Sequence, residues 1–445
     1  MDGAKKESAV ALPGYGEAYL VYLKIGLLSF GGPVGQIAMM HRELVERRRW
    51  LSESRFVHAL NYCMFLPGPE AQQLSIYAGW LLHGWRGGVV AGLCFVLPGA
   101  LFMLGISLLY VYFGQSPQLA AVFYGLQAAV LAIVVQAMMK IGKKILHRRV
   151  LWLLAIGAFL AISALKLPFP AVIIGALLFG WFFGRSHPRW FEVKEEAGGK
   201  EVVDAGDYAV RDEGSGAMKP ATLASTLRGV LVWTFIWLAP VLLCVLLLGK
   251  NHVLSEVAWF FSKVAMVTFG GAYAALPYVA QQAVDVHGWL GAEQAMDGLG
   301  LAETTPGPLI LVLQFVGFLA GFGQAGSLAP WLMGLIAAFL ASWATFVPGY
   351  LFIFAGAPLI EKTREMPRLA HALAAVRAAV VGVILNLALW FAWHSVRGDG
   401  TSWDFLPLVL GGLLFYLMNR RGWGVLAVLG LGILLGGSAS LLLSA

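Results

Sequence analysis

The sequence contains an internal repeat, and this repeat limits the folds open to the chain. Phe30–Gly32 recurs as Phe269–Gly271, and Pro67–Pro69 recurs as Pro306–Pro308 at the same offset. Motifs that match at a constant offset indicate two homologous halves. The predicted organisation has four parts, which are a first repeat over 1–185, a polar linker over 186–228, a connecting transmembrane helix over 229–254 and a second repeat over 255–445.

The composition predicts that both halves lie in a membrane. Of the residues, 59% are hydrophobic and only 12% are charged, and the mean hydropathy is +0.76. A soluble fold could not cover so much apolar surface. Long apolar segments in lipid must also close their backbone hydrogen bonds internally, which favours helices. We therefore predict an all-α polytopic membrane protein, and a soluble enzyme or a nucleic-acid-binding protein is excluded.

The distribution of basic residues predicts opposite orientations for the two halves. Residues 41–55 contain five arginines, whereas the matching residues 280–294 contain no lysine or arginine. The bias reverses between 111–118, which lacks charge, and the basic counterpart 361–368. Because basic loops stay on the cytoplasmic side of a bacterial inner membrane, matching loops should lie on opposite sides. We predict inverted-topology repeats, an arrangement typical of transporters.

Several apolar segments are too short to cross a bilayer. Residues 17–30 would form about 21 Å of helix at 1.5 Å per residue, less than the roughly 30 Å hydrocarbon core. The short segments flank the Phe-Gly-Gly and Pro-Gly-Pro motifs, so we predict four helical hairpins made of re-entrant or broken helices. Thirteen full crossings are the alternative. Nine true crossings are predicted at 87–113, 119–140, 150–165, 169–184, 229–249, 327–357, 369–396, 403–418 and 422–443.

The four breaks predict a site for an anion. A break within the bilayer frees backbone N–H groups that lipid cannot satisfy, so it must line a polar cavity or pack inside protein. Half-helices that begin at a break direct the positive ends of their dipoles toward that cavity. Close helix packing is the structural alternative. The candidate residues at the breaks are Phe30, Gly31, Gly32, Gln36, Pro67, Gly68, Gln72, Phe269, Gly270, Gly271, Pro306 and Gly307.

Charged residues within apolar segments are costly unless they serve a pathway. Lys24 and Lys263 occupy equivalent positions in the two repeats, and each is a candidate cation for a buried anion; snorkelling to the membrane surface is the alternative. Arg377 is a further candidate cation or a structural partner for a helix end. Glu70 and Glu303 lie close to the two Pro-Gly-Pro motifs, where a carboxylate could carry a coupling proton or pair with a lysine.

Other chemistries find little support in the sequence. The cysteines Cys63, Cys94 and Cys244 lie in apolar runs without metal-ligand spacing, so neither disulfides nor a metal site is predicted. There is no Walker A motif for ATP, and no carboxylate cluster or activated nucleophile for catalysis. We therefore expect no cofactor, and we expect energy to come from an ion gradient or counter-exchange. A small-anion channel and a membrane-embedded lipid-modifying enzyme are the competing hypotheses.

The motifs also resemble those of a known family. Ser29–Pro33, Leu66–Pro69 with Gln72 and Gln73 behind it, Thr268–Tyr273 and Thr305–Pro308 are similar to the motifs of chromate ion transporters in their long, two-domain form. The resemblance implies proton-motive-force-driven export of chromate and chromate resistance, with sulfate as a related oxyanion. It leaves a monomer and a homodimer open. Ala272 and Tyr273 replace Pro33 and Val34 in the second half, which predicts unequal half-sites.

Overall fold

A computed structural model describes residues 11–30, 32–114, 116–191, 208–210, 223–269, 271–356, 367–397 and 403–444. Gly31 and Gly270, two of the candidate site residues, lie outside these ranges. Within them the chain is helical, and an isolated bridge between Leu51 and Val210 is the one β-type pairing. The predicted all-α fold is therefore confirmed.

The first repeat contains seven helices in the described residues. They are α1 (Tyr15–Leu28), α2 (Gly32–His41), α3 (Glu53–Cys63), α4 (Glu70–Phe113), α5 (Pro117–Ile145), α6 (Arg149–Ser163) and α7 (Phe169–Ser186). A π-helical turn, Arg42–Arg47, extends α2. Helix α4 is bent at His83 and Gly84, where Gly84 has a φ of 63° that favours glycine. The bend separates a short first part from a long second part.

The second repeat follows the same order after one additional helix. Its described elements are α8 (Leu223–Leu248), α9 (Val253–Val267), α10 (Ala272–Gln281), α11 (Ala292–Thr304), α12 (Val312–Gly323), α13 (Pro330–Gly356), α14 (Pro367–Arg397), α15 (Leu406–Arg421) and α16 (Val425–Ser444). Even the π-helical turn recurs after α10, at Gln282–Val286. The two parts of α4 correspond to the separate helices α12 and α13.

Six helices are long and apolar enough to cross a membrane, which confirms the polytopic prediction. They are Glu70–Phe113, Pro117–Ile145, Phe169–Ser186, Thr226–Leu248, Pro330–Gly356 and Arg368–Arg397. The predicted crossings at 150–165, 403–418 and 422–443 correspond to α6, α15 and α16, which do not meet this criterion in the described residues. Helices α1, α2, α3 and α9 to α12 have 10 to 15 residues, too few for a full crossing.

The last two helices of each repeat pack on the other repeat. Helix α14 of the second repeat packs against α6 and α7, and α5 of the first repeat packs against α15 and α16. Small residues bring these helices close together, as is usual in membranes. A methyl group on Gly382 of α14 would collide with the carbonyl oxygen of Ala155 on α6, and one on Gly125 of α5 would collide with Gly432 of α16. Two mixed bundles result, which we call the exchanged bundles: α5 with α15–α16, and α14 with α6–α7.

The short helices before the breaks lie against the long helices of their own repeat. Helix α1 packs on α4 and α9 packs on α13, while α2 and α10 make little contact with the helix that precedes them. The two predicted hairpins at the Phe-Gly-Gly motifs are therefore open. Helix α8 lies outside this arrangement against α13, where Trp233 stacks on Tyr350 with ring centroids 5.1 Å apart. Most of α8 faces outward.

One piece of the linker is attached to the arginine-rich segment 41–55. The Val210 amide donates a hydrogen bond to the Trp50 carbonyl at 3.0 Å, and the Ala209 amide donates to the Arg49 carbonyl at 3.0 Å. The Val210 side chain is buried. Residues 208–210 therefore lie on the same side of the protein as this basic segment.

The exchange of helices predicts an unequal response of two glycines to alanine. A methyl group on Gly382 would collide with the Ala155 carbonyl oxygen, whereas one on Gly157 of α6 would meet nothing within 4 Å. Either substitution gains about 1 kcal/mol of helix propensity. We expect overpacking to make Gly382→Ala destabilising by about 1–3 kcal/mol, with Gly157→Ala neutral or stabilising. Thermal unfolding in detergent measures both; equal melting temperatures would contradict the close packing of α6 on α14.

Candidate functional site

The four breaks meet in pairs across the two repeats. The Gly68 amide donates a hydrogen bond to the Thr268 carbonyl at 2.7 Å, and the Gly307 amide donates to the Ser29 carbonyl at 2.9 Å. Each Pro-Gly-Pro motif thus binds the residue that precedes Phe-Gly-Gly in the other repeat. Gly68 has a φ of 109° and Gly307 a φ of 88°, values that L side chains rarely adopt. The glycines of the motif are therefore required by this backbone geometry.

Glutamine side chains reinforce the crossed contacts. Gln36 of the first repeat donates from Nε2 to the Gly307 carbonyl at 2.6 Å. Gln73 donates from Nε2 to the Pro67 carbonyl at 2.7 Å, within its own repeat. Both side chains are fully buried. The structure therefore brings the predicted residue Gln36 to the break of the opposite repeat.

The long helices α4 and α13 each contain a Pro-Gly pair that packs against a break, Pro98–Gly99 and Pro348–Gly349 respectively. A methyl group on Gly99 of α4 would collide with the Pro306 carbonyl, and one on Gly349 of α13 would lie 3.0 Å from Gln72 Oε1. Gln72 donates from Nε2 to the Phe346 carbonyl at 3.3 Å, and Gln314 of α12 donates to the Ala100 carbonyl at 2.9 Å. Each break is thus enclosed by the long helix of the other repeat.

The crossed bonds change which groups at the breaks can receive an anion. The amides of Gly68 and Gly307 are occupied by protein carbonyls. Helix α4 begins at Glu70 without a side-chain cap: the Gln73 amide donates to the Pro69 carbonyl at 3.0 Å, and the amides of the three residues before it have no partner within the helix. The Ser29 hydroxyl is buried and makes no hydrogen bond with the described residues. The free donors are thus the first amides of α4 at the first Pro-Gly-Pro motif and the Ser29 hydroxyl at the second, whose Gly307 amide binds the Ser29 carbonyl.

Arg377 is the cation that lies at a break. Its guanidinium donates a hydrogen bond to the carbonyl of Met64, the residue that ends α3 just before Pro67, at 3.4 Å. It also interacts electrostatically with Glu70, the first residue of α4. The side chain is half-buried. The structure therefore places Arg377 and Glu70, two of the predicted residues, together beside the first Pro-Gly-Pro motif.

Lys24 and Lys263 have different surroundings. Lys24 Nζ lies 3.0 Å from Glu43 Oε1, and Arg47 and Arg48 contact the same carboxylate at 2.8 and 2.7 Å. Glu43 is fully buried, whereas these three cations keep 29–58% of their side-chain surface exposed. Burial alone would raise the pKa of Glu43, but hydrogen bonds from Lys24 and Arg47 outweigh it and hold the pKa below its usual value. Lys24 is thus a member of an ion cluster.

The second repeat lacks this ion cluster. Gln282 occupies the position that corresponds to Glu43. Lys263 is exposed, and no described residue forms an ion pair with it. The two lysines are equivalent in sequence, and the structure does not bring them together at the breaks. Phe30 and Phe269, which follow Ser29 and Thr268, are exposed and half-buried respectively.

Glu303 is buried near the second Pro-Gly-Pro motif. The Tyr273 hydroxyl donates to Glu303 Oε1 at 2.5 Å, and 2% of Glu303 is exposed. Tyr273 occupies the position of Val34 in the first repeat, and Glu303 that of Met64. The polar pair is therefore present in one half alone, in agreement with the predicted inequality of the half-sites.

Sequence reasoning missed Asp297. This residue of α11 is buried, accepts a hydrogen bond from Gln127 Nε2 of α5 at 3.0 Å and accepts another from the Tyr110 hydroxyl of α4 at 2.8 Å. A lone carboxylate in the apolar run 295–302 is the signal that could have identified it. No cluster of three or more metal-ligating side chains occurs among the described residues.

Comparison with known proteins gives consistent matches. The sequence profile of a family described as chromate transporter matches residues 16–181 and 255–437. The chromate transport protein of Pseudomonas aeruginosa is 36% identical over 375 residues, covering 83% of this chain and 79% of that protein. The chromate transport protein of Cupriavidus metallidurans is 29% identical over 398 residues, covering 89% and 86% respectively. No solved structure matches the chain.

A shorter relative matches one half. An uncharacterized transporter of Bacillus subtilis, YwrA, is 28% identical over 166 residues, which are 36% of this chain and 93% of that protein. The two stretches matched by the family profile each contain one Phe-Gly-Gly and one Pro-Gly-Pro motif.

The ion cluster predicts a pH-dependent loss of stability in Glu43→Gln. Because its cationic partners are partly exposed, we expect a cost of about 1–3 kcal/mol, below the ~3–5 kcal/mol of a fully buried pair. The folded-state pKa of Glu43 is lowered, so this contribution is complete above the ordinary glutamate pKa of about 4.3 and disappears as the pH falls through the folded value. Melting temperatures across that range measure it. Lys24→Gln should cost less, since both arginines remain; a larger loss in Lys24→Gln would contradict the assignment.

Proposed function

The chain belongs to the chromate transporter family, and from this premise we propose that it transports chromate across the membrane as a secondary transporter. The observation that carries the proposal is the crossed pairing of the breaks, Gly68 with Thr268 and Gly307 with Ser29. It joins the four interrupted segments in two pairs across the repeats, and Arg377 lies beside the first Pro-Gly-Pro motif; we infer that the two pairs border one locus. Such a locus between repeats suits a substrate site in a secondary transporter.

We assign the binding of the oxyanion to donors around the first Pro-Gly-Pro motif. Chromate is a divalent tetrahedral anion, so it requires several N–H or O–H donors and a cation. The guanidinium of Arg377 offers paired donors and a permanent charge, which an oxyanion binds well. The uncapped start of α4 supplies further donors at this motif, and the Ser29 hydroxyl supplies one from the second motif. Lys24 and Lys263 then attract the dianion from the protein surface.

Transport follows from movement of the two exchanged bundles around this locus. We infer that α5 with α15–α16 and α14 with α6–α7 rock against each other, which opens the locus to one side at a time. Chromate is exported from the cytoplasm across a bacterial inner membrane, driven by the proton motive force, and the export confers resistance. Glu303, which accepts a hydrogen bond from Tyr273, is proposed to carry a proton. Glu70 acts as the electrostatic partner of Arg377.

Transport by Arg377 variants tests the proposed site. In energised everted vesicles, Arg377→Gln should reduce the initial rate of labelled chromate uptake by roughly tenfold or more, because a charge-assisted hydrogen bond is worth about 1.5–3 kcal/mol. Arg377→Lys should fall between wild type and Arg377→Gln, since it retains the charge but loses the planar fork.

The matched control for this test is Arg420→Gln, which removes an exposed arginine at the end of α15. Excess sulfate, which has the same charge and shape, should compete with chromate in the wild type. Uptake at the wild-type rate by Arg377→Gln would refute the site. Wild-type vesicles that take up no more chromate than vesicles without the protein would refute the transport function itself.

The inverted orientation of the repeats has its own test. Arg42 and Asp285 lie at equivalent turns of the two repeats, and both side chains are exposed. In a background without native cysteines, we expect Arg42→Cys to react with an impermeant maleimide from the cytoplasmic side and Asp285→Cys from the opposite side. Labelling of both cysteines from one side would disprove the inversion.

A further inference from the structure

Asp297 lies at a contact between the repeats that the proposed site does not use. It belongs to α11, its exposed fraction is 4%, and both of its hydrogen-bond donors come from the first repeat. Gln127 of α5 binds one carboxylate oxygen, and Tyr110 of α4 binds the other. The carboxyl group therefore connects α11 to α4 and, through Gln127, to α5 of one exchanged bundle.

The surroundings of Asp297 contain no described cation. Helix α11 packs against α4, α5, α12, α14 and α16. Tyr110 is the titratable group that α4 contributes, and Gln127 of α5 is neutral. Helices α12 and α16 contain no charged residue. On α11 itself, Glu293 interacts with Asp297 and adds negative charge.

Helix α14 completes the environment of α11. It reaches α11 through Ser395, whose hydroxyl lies 3.4 Å from the Met296 sulfur. The neighbouring His394 bonds to the Trp390 carbonyl of its own helix. No described lysine, arginine or histidine forms an ion pair with Asp297. A buried carboxylate without a counter-ion is costly, and the cost falls when it binds a proton.

The internal repeat relates Gln127, the α5 partner of Asp297, to Arg377 in the other half. Gln127 of α5 corresponds to Arg377 of α14, as the matching neighbours 128–130 and 378–380 show. Arg377 reaches the end of α3, and Gln127 reaches α11, the counterpart of α3. Equivalent pairs of helices, α14 with α3 and α5 with α11, thus hold an arginine in one case and a carboxyl group without a described counter-ion in the other.

We infer that Asp297 is a proton-binding residue through which proton movement is coupled to the rocking of the exchanged bundles. The inference rests on the proposed transport function. When the bundles rock, α5 moves relative to α11, Gln127 separates from Asp297, and the carboxylate oxygen that it leaves accepts a proton from the outer side. When they return, the same O–H bond breaks and the proton leaves to the cytoplasm. Among the described residues Glu303 makes no such contact between the repeats, because its hydrogen-bond partner Tyr273 belongs to the same repeat.

The test separates coupled accumulation from exchange. Everted vesicles with wild type or Asp297→Asn are assayed for chromate accumulation driven by an inside-acid gradient, and for exchange of labelled against unlabelled chromate without a gradient. The amide can occupy the same space between Gln127 and Tyr110 but cannot carry the proton. We expect exchange within about twofold of wild type and less dependent on pH, because Glu303 remains, with gradient-driven accumulation at least about tenfold lower. Asp297→Glu should restore part of the accumulation.

A matched control is available in Asp404→Asn. Asp404 also accepts a hydrogen bond from a tyrosine of α5, Tyr124, at 2.5 Å, and it caps the Leu406 amide at 2.9 Å. Because α5 and α15 belong to one exchanged bundle, that contact does not change during rocking. We expect this variant to retain both accumulation and exchange.

Tyr110→Phe provides a second variant that leaves the carboxyl group in place. It removes one donor from ionised Asp297, so exchange should keep its rate while its pH dependence moves toward higher pH. An unchanged pH dependence, wild-type accumulation by Asp297→Asn, or loss of both exchange and accumulation in a folded Asp297→Asn each overturns the inference. Absence of accumulation in the wild type instead refutes the proposed transport function and is distinguishable from these results.

Discussion

The backbone hydrogen bonds between Gly68 and Thr268 and between Gly307 and Ser29 are the contacts on which the arrangement of the molecule depends. An interrupted helix in a bilayer leaves polar groups that lipid cannot satisfy. Each repeat supplies the missing partner for the other, so neither half satisfies its own breaks alone. The exchange of the last helical pairs has the same consequence on a larger scale, because α5 and α14 each obtain their neighbours from the opposite repeat.

The scaffold is nearly symmetric, but its chemistry is not. Arg377 has glutamine as its counterpart, Glu303 has methionine, and Asp297 has histidine. A dianion bound beside Arg377 and Glu70 would still carry two negative charges that these residues, with opposite charges, do not compensate, at a large cost in a poorly solvated site. The buried carboxyl groups of Glu303 and Asp297, which we propose to bind protons, provide a way to link that charge to a proton gradient. The two repeats therefore share the same helices and breaks, while single substitutions give them different charged residues.

Much of the order and interruption of the helices could be predicted from the sequence, because a repeat, a reversal of charge and a Pro-Gly-Pro motif are local or periodic signals. The short helices α1 to α3 and α9 to α12 follow from them. The exchange of helices could not be predicted, since an offset identifies equivalent segments but not the surfaces that pack together. For the same reason the equivalence of Lys24 and Lys263 did not reveal Glu43, whose place is taken by Gln282 in the second repeat. Asp297 repeats no motif, and its significance depends on neighbours 170 and 187 residues away.

The crossed contacts also decide the sign of the field at the breaks. Each break joins the carbonyl end of one helix to the amide end of the next, and their dipole charges of about half a unit each would cancel at a distance. The carbonyl of Ser29 after α1 and that of Thr268 after α9 accept the crossed amides, and the Met64 carbonyl after α3 accepts Arg377. The Thr305 hydroxyl donates to the Ala302 carbonyl near the end of α11. The negative ends are thus occupied by protein donors, while the start of α4 stays uncapped, which supports the proposal that the locus binds an anion and not a cation.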